Sequence, residues 1–161
     1  ISTSGNPLIT NDSIEYIKSN ILPLARVVTP NIPEAEVLLD NERISAGNME
    51  QAAKKIAQRY NVSVLLKAGH IEDEYITDYF YNNETGSTLT LGSKKIDTKN
   101  THGTGCTMSS ALASMLALGK ELDEAVTLSH TFIKSAIAAG ADYNIGHGHG
   151  PVHHFFNYWM D

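Results

Sequence analysis

Hydrophobic positions along the 161-residue chain follow two rhythms, a helical one and an alternating one, and their succession sets out the elements. Ile14, Ile17, Ile21 and Leu22 recur at helical spacing, so a helix is predicted from Asp12 to Leu22, capped by Asn11 or Asp12 and closed by Pro23. Arg26 to Thr29 is a short apolar run that fits a buried parallel strand. Pro30-Asn31-Ile32-Pro33 reads as a turn, with Pro33 at the first position of a helix through Leu39. Asn48 is placed to cap a further helix from Met49 to about Tyr60, with Ala52, Ala53, Ile56 and Ala57 facing inward.

Val62 to Lys67 is a second buried strand, ending at Ala68-Gly69-His70. Helices and strands alternate to this point, the mark of an α/β sheet. The rhythm then changes to a period of two. Tyr75, Thr77, Tyr79 and Tyr81 alternate with Ile76, Asp78 and Phe80, and the turn 82–86 leads to a strand from Ser87 to Leu91. A hairpin is expected, followed by a shorter strand at Lys95-Ile96. Beyond it lie the loop Asn100 to Gly105, a long helix from Cys106 to about Leu118, and another from about Leu122 to Ala139. Gly146 to Pro151 reads as a loop, and Val152 to Met160 as a last short helix. The pattern shows no internal repeat, linker or second domain.

Composition narrows the class. Hydrophobic residues at 42% and charged residues at 19% suit a globular chain. The longest nearly apolar run, Met108 to Leu118, is too short to span a bilayer. The net charge of −6, with acids and bases interspersed, argues against a nucleic-acid partner. The single cysteine, Cys106, excludes an intrachain disulfide and points to a reducing, cytoplasmic compartment.

Candidate chemistry concentrates in Thr101-His102-Gly103-Thr104-Gly105-Cys106-Thr107. Gly103, Thr104 and Gly105 open a long helix, where free N–H groups and the positive dipole end attract phosphate. Alone, the Gly-x-Gly reads first as a structural tight turn. Cys106 adds to it, since a thiolate at a helix N-terminus can take a proton, whereas a buried cysteine acts as a small hydrophobe. Lys67 lies at the carboxyl end of a predicted strand, the edge where open α/β sheets bind ligands, and is placed either to meet a phosphate or to emerge into solvent. Asn31 and Glu34 sit just past the other strand. There a carboxylate either organises magnesium through water or complements a helix dipole. His147, His149, His153 and His154 raise a zinc reading, but no cysteine joins them, and a loop covering a site is the expectation.

Asn100 to Thr107, Thr29-Pro30-Asn31-Ile32-Pro33-Glu34-Ala35-Glu36 and Gly148-His149-Gly150-Pro151-Val152 together resemble the hydroxymethylpyrimidine phosphate kinases of the ribokinase-like group. The resemblance runs over nearly the whole chain. It implies a three-layer α/β sandwich with a central, mostly parallel sheet, and a homodimer. It implies phosphorylation of 4-amino-5-hydroxymethyl-2-methylpyrimidine and its monophosphate with ATP and Mg2+, in thiamine biosynthesis. Cys106 falls where the wider group carries a catalytic aspartate, Lys67 matches the lysine on the transferring phosphate, and Gly103, Thr104 and Gly105 match the anion turn. Nucleotide contacts fall on Asn31, Lys67, Thr98, Gly103 and Gly105, and the magnesium role on Glu34.

Ala68 stands where glycine is frequent in the family. The family's chain is longer, so residues 1–161 read as the C-terminal portion of one kinase domain lacking its N-terminal strands, with Ser2-Thr3-Ser4-Gly5 as a loop after an absent strand. A pyridoxal or pyridoxine kinase, and a non-catalytic nucleotide-binding relative, remain alternatives.

Overall fold

The computed structural model describes residues 9–69 and 74–159. The loop expected at Ser2–Gly5, the strand end at His70 and the end of the last helix at Met160 lie outside the described residues. The chain forms two compact units, which divide between Ser93 and Lys94.

In the first unit, α1 (Asn11–Tyr16) begins one residue before the expected start at Asp12. Thr10 is extended, and its Oγ1 accepts from the Ser13 N–H at 3.3 Å, so Thr10 is the cap and Asn11 and Asp12 are the first helical residues. The helix does not run straight to Leu22. It widens into a π turn over Ile17–Ile21 and tightens into a 3-10 turn over Leu22–Leu24. Pro23, lacking an N–H, lies inside that last turn rather than after a finished helix.

Strand β1 (Val27–Val28) pairs in parallel with β2 (Ser63–Leu66), Val27 opposite Ser63 and Val28 opposite Val64. Between them run α2 (Ile32–Leu38) and α3 (Met49–Tyr60). All four residues of β2 are buried, as a strand covered on both faces must be. The inward face of α3 is Ala52, Ala53, Ile56 and Ala57, all buried, and the small alanines bring the helix close to the sheet. Asn48 precedes α3, but its side chain makes no bond to that helix. Its Oδ1 accepts instead from the Ser45 N–H at 2.7 Å, closing the preceding 3-10 turn.

Strand β3 (Tyr75–Tyr81) joins β2 antiparallel, with Leu65 opposite Phe80, and β4 (Thr88–Lys94) follows beside β3. The sheet is therefore mixed, in the order β1-β2-β3-β4: parallel at the β–α–β start and antiparallel where the hairpin joins it. Its turn is closed by the Asn82 N–H to Ser87 O at 2.9 Å and the Gly86 N–H to Asn82 O at 2.8 Å. No separate strand forms at Lys95-Ile96, because β4 itself continues to Lys94.

The second unit is built on two helices, α4 (Thr104–Ala117) and α5 (Leu122–Gly140), packed on each other. Met108 and Leu112 of α4 and Ala125, Val126, Ile133 and Ala136 of α5 are buried there. The expected helix after Val152 is a set of turns instead. The N–H groups of Tyr158 and Trp159 both bond to Phe155 O, while the His153 N–H is drawn off to Ala136 O of α5 at 3.0 Å. Val152 is buried, and the rings of Phe155 and Trp159 stack with centroids 5.2 Å apart.

Candidate active site

The sequence-predicted residues fall into two groups, one in each unit. In the first unit the structure brings Asn31, Glu34 and Lys67 to one sheet edge. The parallel register of β1 and β2 carries on past the strands to an isolated bridge between Asn31 and Lys67, and the Lys67 N–H donates to Pro30 O at 3.0 Å. Both residues thus stand at carboxyl ends of parallel strands, the rim where α/β folds hold ligands. The Lys67 side chain is half-buried there.

Asn31 also caps α2. Its Oδ1 accepts from the Glu34 N–H at 2.9 Å, and Glu34 Oε2 accepts from the Asn31 N–H at 2.9 Å, a reciprocal capping box. Pro33 sits at the second helical position, where its missing N–H costs nothing. The box holds the Glu34 carboxylate in place through one oxygen. Oε1 accepts nothing from the described residues, so this carboxylate fits a magnesium ion held largely by water and phosphate.

One residue past Lys67, the Ala68 N–H donates to Asp78 Oδ1 of β3 at 2.7 Å. Sequence reasoning gave Asp78 no role beyond strand alternation. The signal was there, since a carboxylate in a run of aromatic and aliphatic residues asks for a partner.

In the second unit, Gly103 is the N-cap of α4 with φ +85°, a left-handed conformation that favours glycine. The Thr107 N–H bonds back to Gly103 O at 2.9 Å, and the Thr104 N–H to Thr101 O at 3.3 Å. In the first turn the Gly105 and Cys106 N–H groups have no backbone acceptor among the described residues. Cys106 is exposed beside them. An anion meeting this turn finds unengaged amides, a helix dipole and a thiol.

Thr98 lies at the base of the same loop. Its hydroxyl donates to Ala141 O at 3.0 Å and accepts from the Asn100 N–H at 3.1 Å, so it braces the loop. The tail runs alongside. The His102 N–H donates to Gly150 O at 3.0 Å, and His102 forms an isolated parallel bridge with Pro151. His149 Nδ1 lies 3.3 Å from Lys99 O, and His154 Nε2 lies 2.8 Å from the Thr107 hydroxyl. The ring of His153 lies between those of Tyr143 and Trp159, with centroids 5.4 and 5.3 Å away. Among the described residues no three His, Cys, Asp or Glu side chains gather as a metal site, so the four tail histidines form no such cluster. No helix among the described residues is long and apolar enough to cross a membrane.

A β–α–β edge with a strand-end lysine and a glycine turn opening a long helix define the ribokinase-like α/β class. Comparison with known proteins then fixes the family. The chain belongs to the phosphomethylpyrimidine kinase family, whose model matches residues 1–153. A hydroxymethylpyrimidine/phosphomethylpyrimidine kinase of Rhizobium meliloti is 40% identical over all of this chain and 60% of its own length. The chain thus spans about three-fifths of that relative. A pyridoxal kinase from Staphylococcus aureus, solved in complex with ADP, superposes with a TM-score of 0.87 at 28% identity, over 100% of this chain and 58% of its own. A phosphomethylpyrimidine kinase from Clostridium difficile is 36% identical with a TM-score of 0.67, over 85% and 54%.

Proposed function

We propose that the protein transfers the γ-phosphoryl group of ATP to the hydroxymethyl oxygen of 4-amino-5-hydroxymethyl-2-methylpyrimidine, and then to its monophosphate, in thiamine biosynthesis. The observation that carries the reading is the first turn of α4, where the Gly105 and Cys106 amides have no backbone acceptor among the described residues and the Cys106 thiol is exposed. The substrate hydroxyl oxygen bonds to phosphorus as the bond to the bridging oxygen of ADP breaks. The hydroxyl proton passes to Cys106 as thiolate. The Gly103–Cys106 turn, through its unengaged amides, stabilises charge developing on the phosphoryl oxygens. Lys67 neutralises the transferring phosphate as a point charge. Glu34 would hold a magnesium ion through water, and the ion would supply charge neutralisation of the nucleotide phosphates there. Asn31 and Thr98, with Lys67, Gly103 and Gly105, bind the nucleotide. Catalysis of this kind is mainly positioning and charge stabilisation.

The same reading includes a homodimer working in the cytoplasm. Names shared by relatives such as the Rhizobium enzyme support the pyrimidine substrate. A second reading, a pyridoxal or pyridoxine kinase, draws on the TM-score of 0.87 to the Staphylococcus pyridoxal kinase. A non-catalytic nucleotide-binding relative is the third, and the retained Cys106, Lys67, Asn31 and Glu34 weigh against it.

ADP release by the intact protein with the pyrimidine alcohol, its monophosphate or pyridoxal, beside Cys106→Ala, tests all three. Turnover with both pyrimidines that falls roughly 10²–10⁴-fold in the mutant supports the assignment and the base. Turnover with pyridoxal alone moves the protein to the second reading. ATP binding without turnover on any of them overturns the kinase.

A further inference from the structure

We propose that Asn100 is a positioning residue of the phosphate turn, fixing the loop that presents Gly103–Cys106 by clamping it to the end of α5. The proposal rests on the phosphotransfer reading and extends it to a side chain that touches no reactant.

Asn100 is 1% exposed. Its Nδ2 donates to Gly140 O and Tyr143 O, both at 2.7 Å, with a longer contact to Ala141 O at 3.4 Å. These carbonyls lie at the end of α5 and just beyond it, where a helix leaves carbonyls without partners. All three are acceptors, which fixes the amide with its nitrogen toward them. The Asn100 N–H meanwhile reaches the Thr98 hydroxyl, which itself holds Ala141 O. The residue before Thr101 is therefore tied through side chain and backbone to a rigid helix end.

The other half of the amide is the informative one. Asn100 Oδ1 is buried and finds no donor among the described residues. Buried acceptors are nearly always satisfied, so a residue retained for stability alone is a poor account of this one. Oδ1 is pressed against Gly150, where a Cβ would lie 2.0 Å from it and 2.8 Å from Cγ. Only glycine lets the tail pass so close, and the Gly150 carbonyl is the one that holds the His102 N–H. Asn100 is thus wedged between the end of α5 and the tail at Gly150, and the loop from Thr101 to Gly105 starts from that wedge. A small displacement of the wedge moves the amides of α4 relative to an incoming phosphate. Misplacement by about 1 Å costs roughly 100-fold in rate.

The test compares Asn100→Ala, Asn100→Asp, Gly150→Ala and the double variant Asn100→Ala/Gly150→Ala in the intact protein. Steady-state phosphorylation of the pyrimidine alcohol is read beside alkylation of Cys106 by iodoacetamide at fixed pH. Cys106 is the sole cysteine, so the adduct reports the turn directly. Each single variant is expected to lose about tenfold or more in kcat, per folded molecule, with both KM values within about threefold. Its alkylation rate should differ from wild type by about threefold or more. Asn100→Asp keeps the shape, loses the donors and falls with the others.

The double variant should be no worse than Asn100→Ala, because the shortened side chain leaves room for the new Cβ at 150. If Asn100→Ala does not fold, Gly150→Ala, which keeps the amide and displaces it, carries the same expectations. Unchanged kcat per folded molecule with unchanged alkylation, or losses that multiply in the double variant, overturn the positioning role. A wild type that turns over none of the alcohols overturns the phosphotransfer reading instead, and the alkylation rates still decide the role of Asn100.

Discussion

Asn31 and Lys67 face each other across a parallel bridge just past β1 and β2, in the register that already pairs Val28 with Val64. One sheet edge thereby holds a helix-capping amide, the carboxylate that completes its cap and a half-buried ammonium.

Because the bridge is made by the main chain, changing the lysine side chain separates chemistry from structure. Lys67→Ala is expected to lower the rate of phosphoryl transfer by about 10²–10³-fold, the scale of losing one stabilising charge. Its unfolding free energy should change by about 1 kcal/mol or less. Lys67→Arg should restore only part of the rate, since a planar guanidinium does not place its charge as an ammonium does. Kinetics paired with urea unfolding reads both, and full activity in Lys67→Ala would remove the residue from the mechanism.

The capping box allows a similar separation at α2. Asn31→Ala removes the side chain that accepts the Glu34 N–H and should cost about 1 kcal/mol of stability. Glu34→Gln retains an oxygen for the Asn31 N–H, so its stability should move by less than about 0.5 kcal/mol. The magnesium concentration for half-maximal turnover should nevertheless rise about tenfold or more. A magnesium titration that superposes on wild type would leave Glu34 with the cap alone.

Acid should weaken the first unit through Asp40. This residue holds φ +56°, and its carboxylate receives Lys18 Nζ at 3.0 Å and Arg59 at 2.8 Å. The Lys18 bond, then the Arg59 bond, hold the Asp40 carboxyl below its ordinary range. Arg26 does the same to Glu84. A carboxyl depressed by folding contributes stability that is full above its unfolded pKa of about 3.9 and is lost as pH falls through the lower folded value.

Lys18 works in the opposite sense. Burial opposes its charge most, but the hydrogen bonds to Glu15 and Asp40 outweigh it and raise the ammonium above its ordinary range. That contribution is full below about pH 10.4 and is lost as pH rises past it. Urea midpoints measured from pH 6 down to pH 2.5 should therefore fall less steeply in Asp40→Asn, which tolerates the left-handed backbone, than in wild type. Parallel curves would show that the ion pairs carry no acid dependence.

The bond between Thr107 and His154 ties the first turn of α4 to the tail at 2.8 Å. Thr107 is buried, so Thr107→Val should destabilise the protein by about 1 kcal/mol, whereas Thr107→Ser keeps the hydroxyl. Denaturant midpoints that do not separate the two variants would assign the effect to shape rather than to the bond.

Much of this was legible in the residues. Local periodicity fixes α3, the β3–β4 hairpin and the two last helices, because burial of one face imposes its period on the chain, and a short all-apolar run marks β2, which is covered on both faces. The capping box was visible as Asn-x-x-Glu, and the phosphate turn as glycines before an apolar helix. Where the reading failed, another partner had taken a group that the local pattern assigned to a helix. Asn48 left its helix for Ser45, and the tail after Val152 gave its first donor, His153, to α5 instead of to a helix of its own. The bracing of the loop by the Thr98 hydroxyl, through Ala141 O and the Asn100 N–H, likewise had no signal in the local pattern.

The sequence by itself determined most of the strands and helices, and which family they belong to, since these depend on spacing and residue type. Tertiary structure alone decided that β2 takes an antiparallel neighbour, that Asn31 meets Lys67, and that Asn100 is caught between α5 and Gly150. Those relations join residues tens of positions apart. Hydrogen bonding and close approach between distant segments leave no periodic trace along the chain.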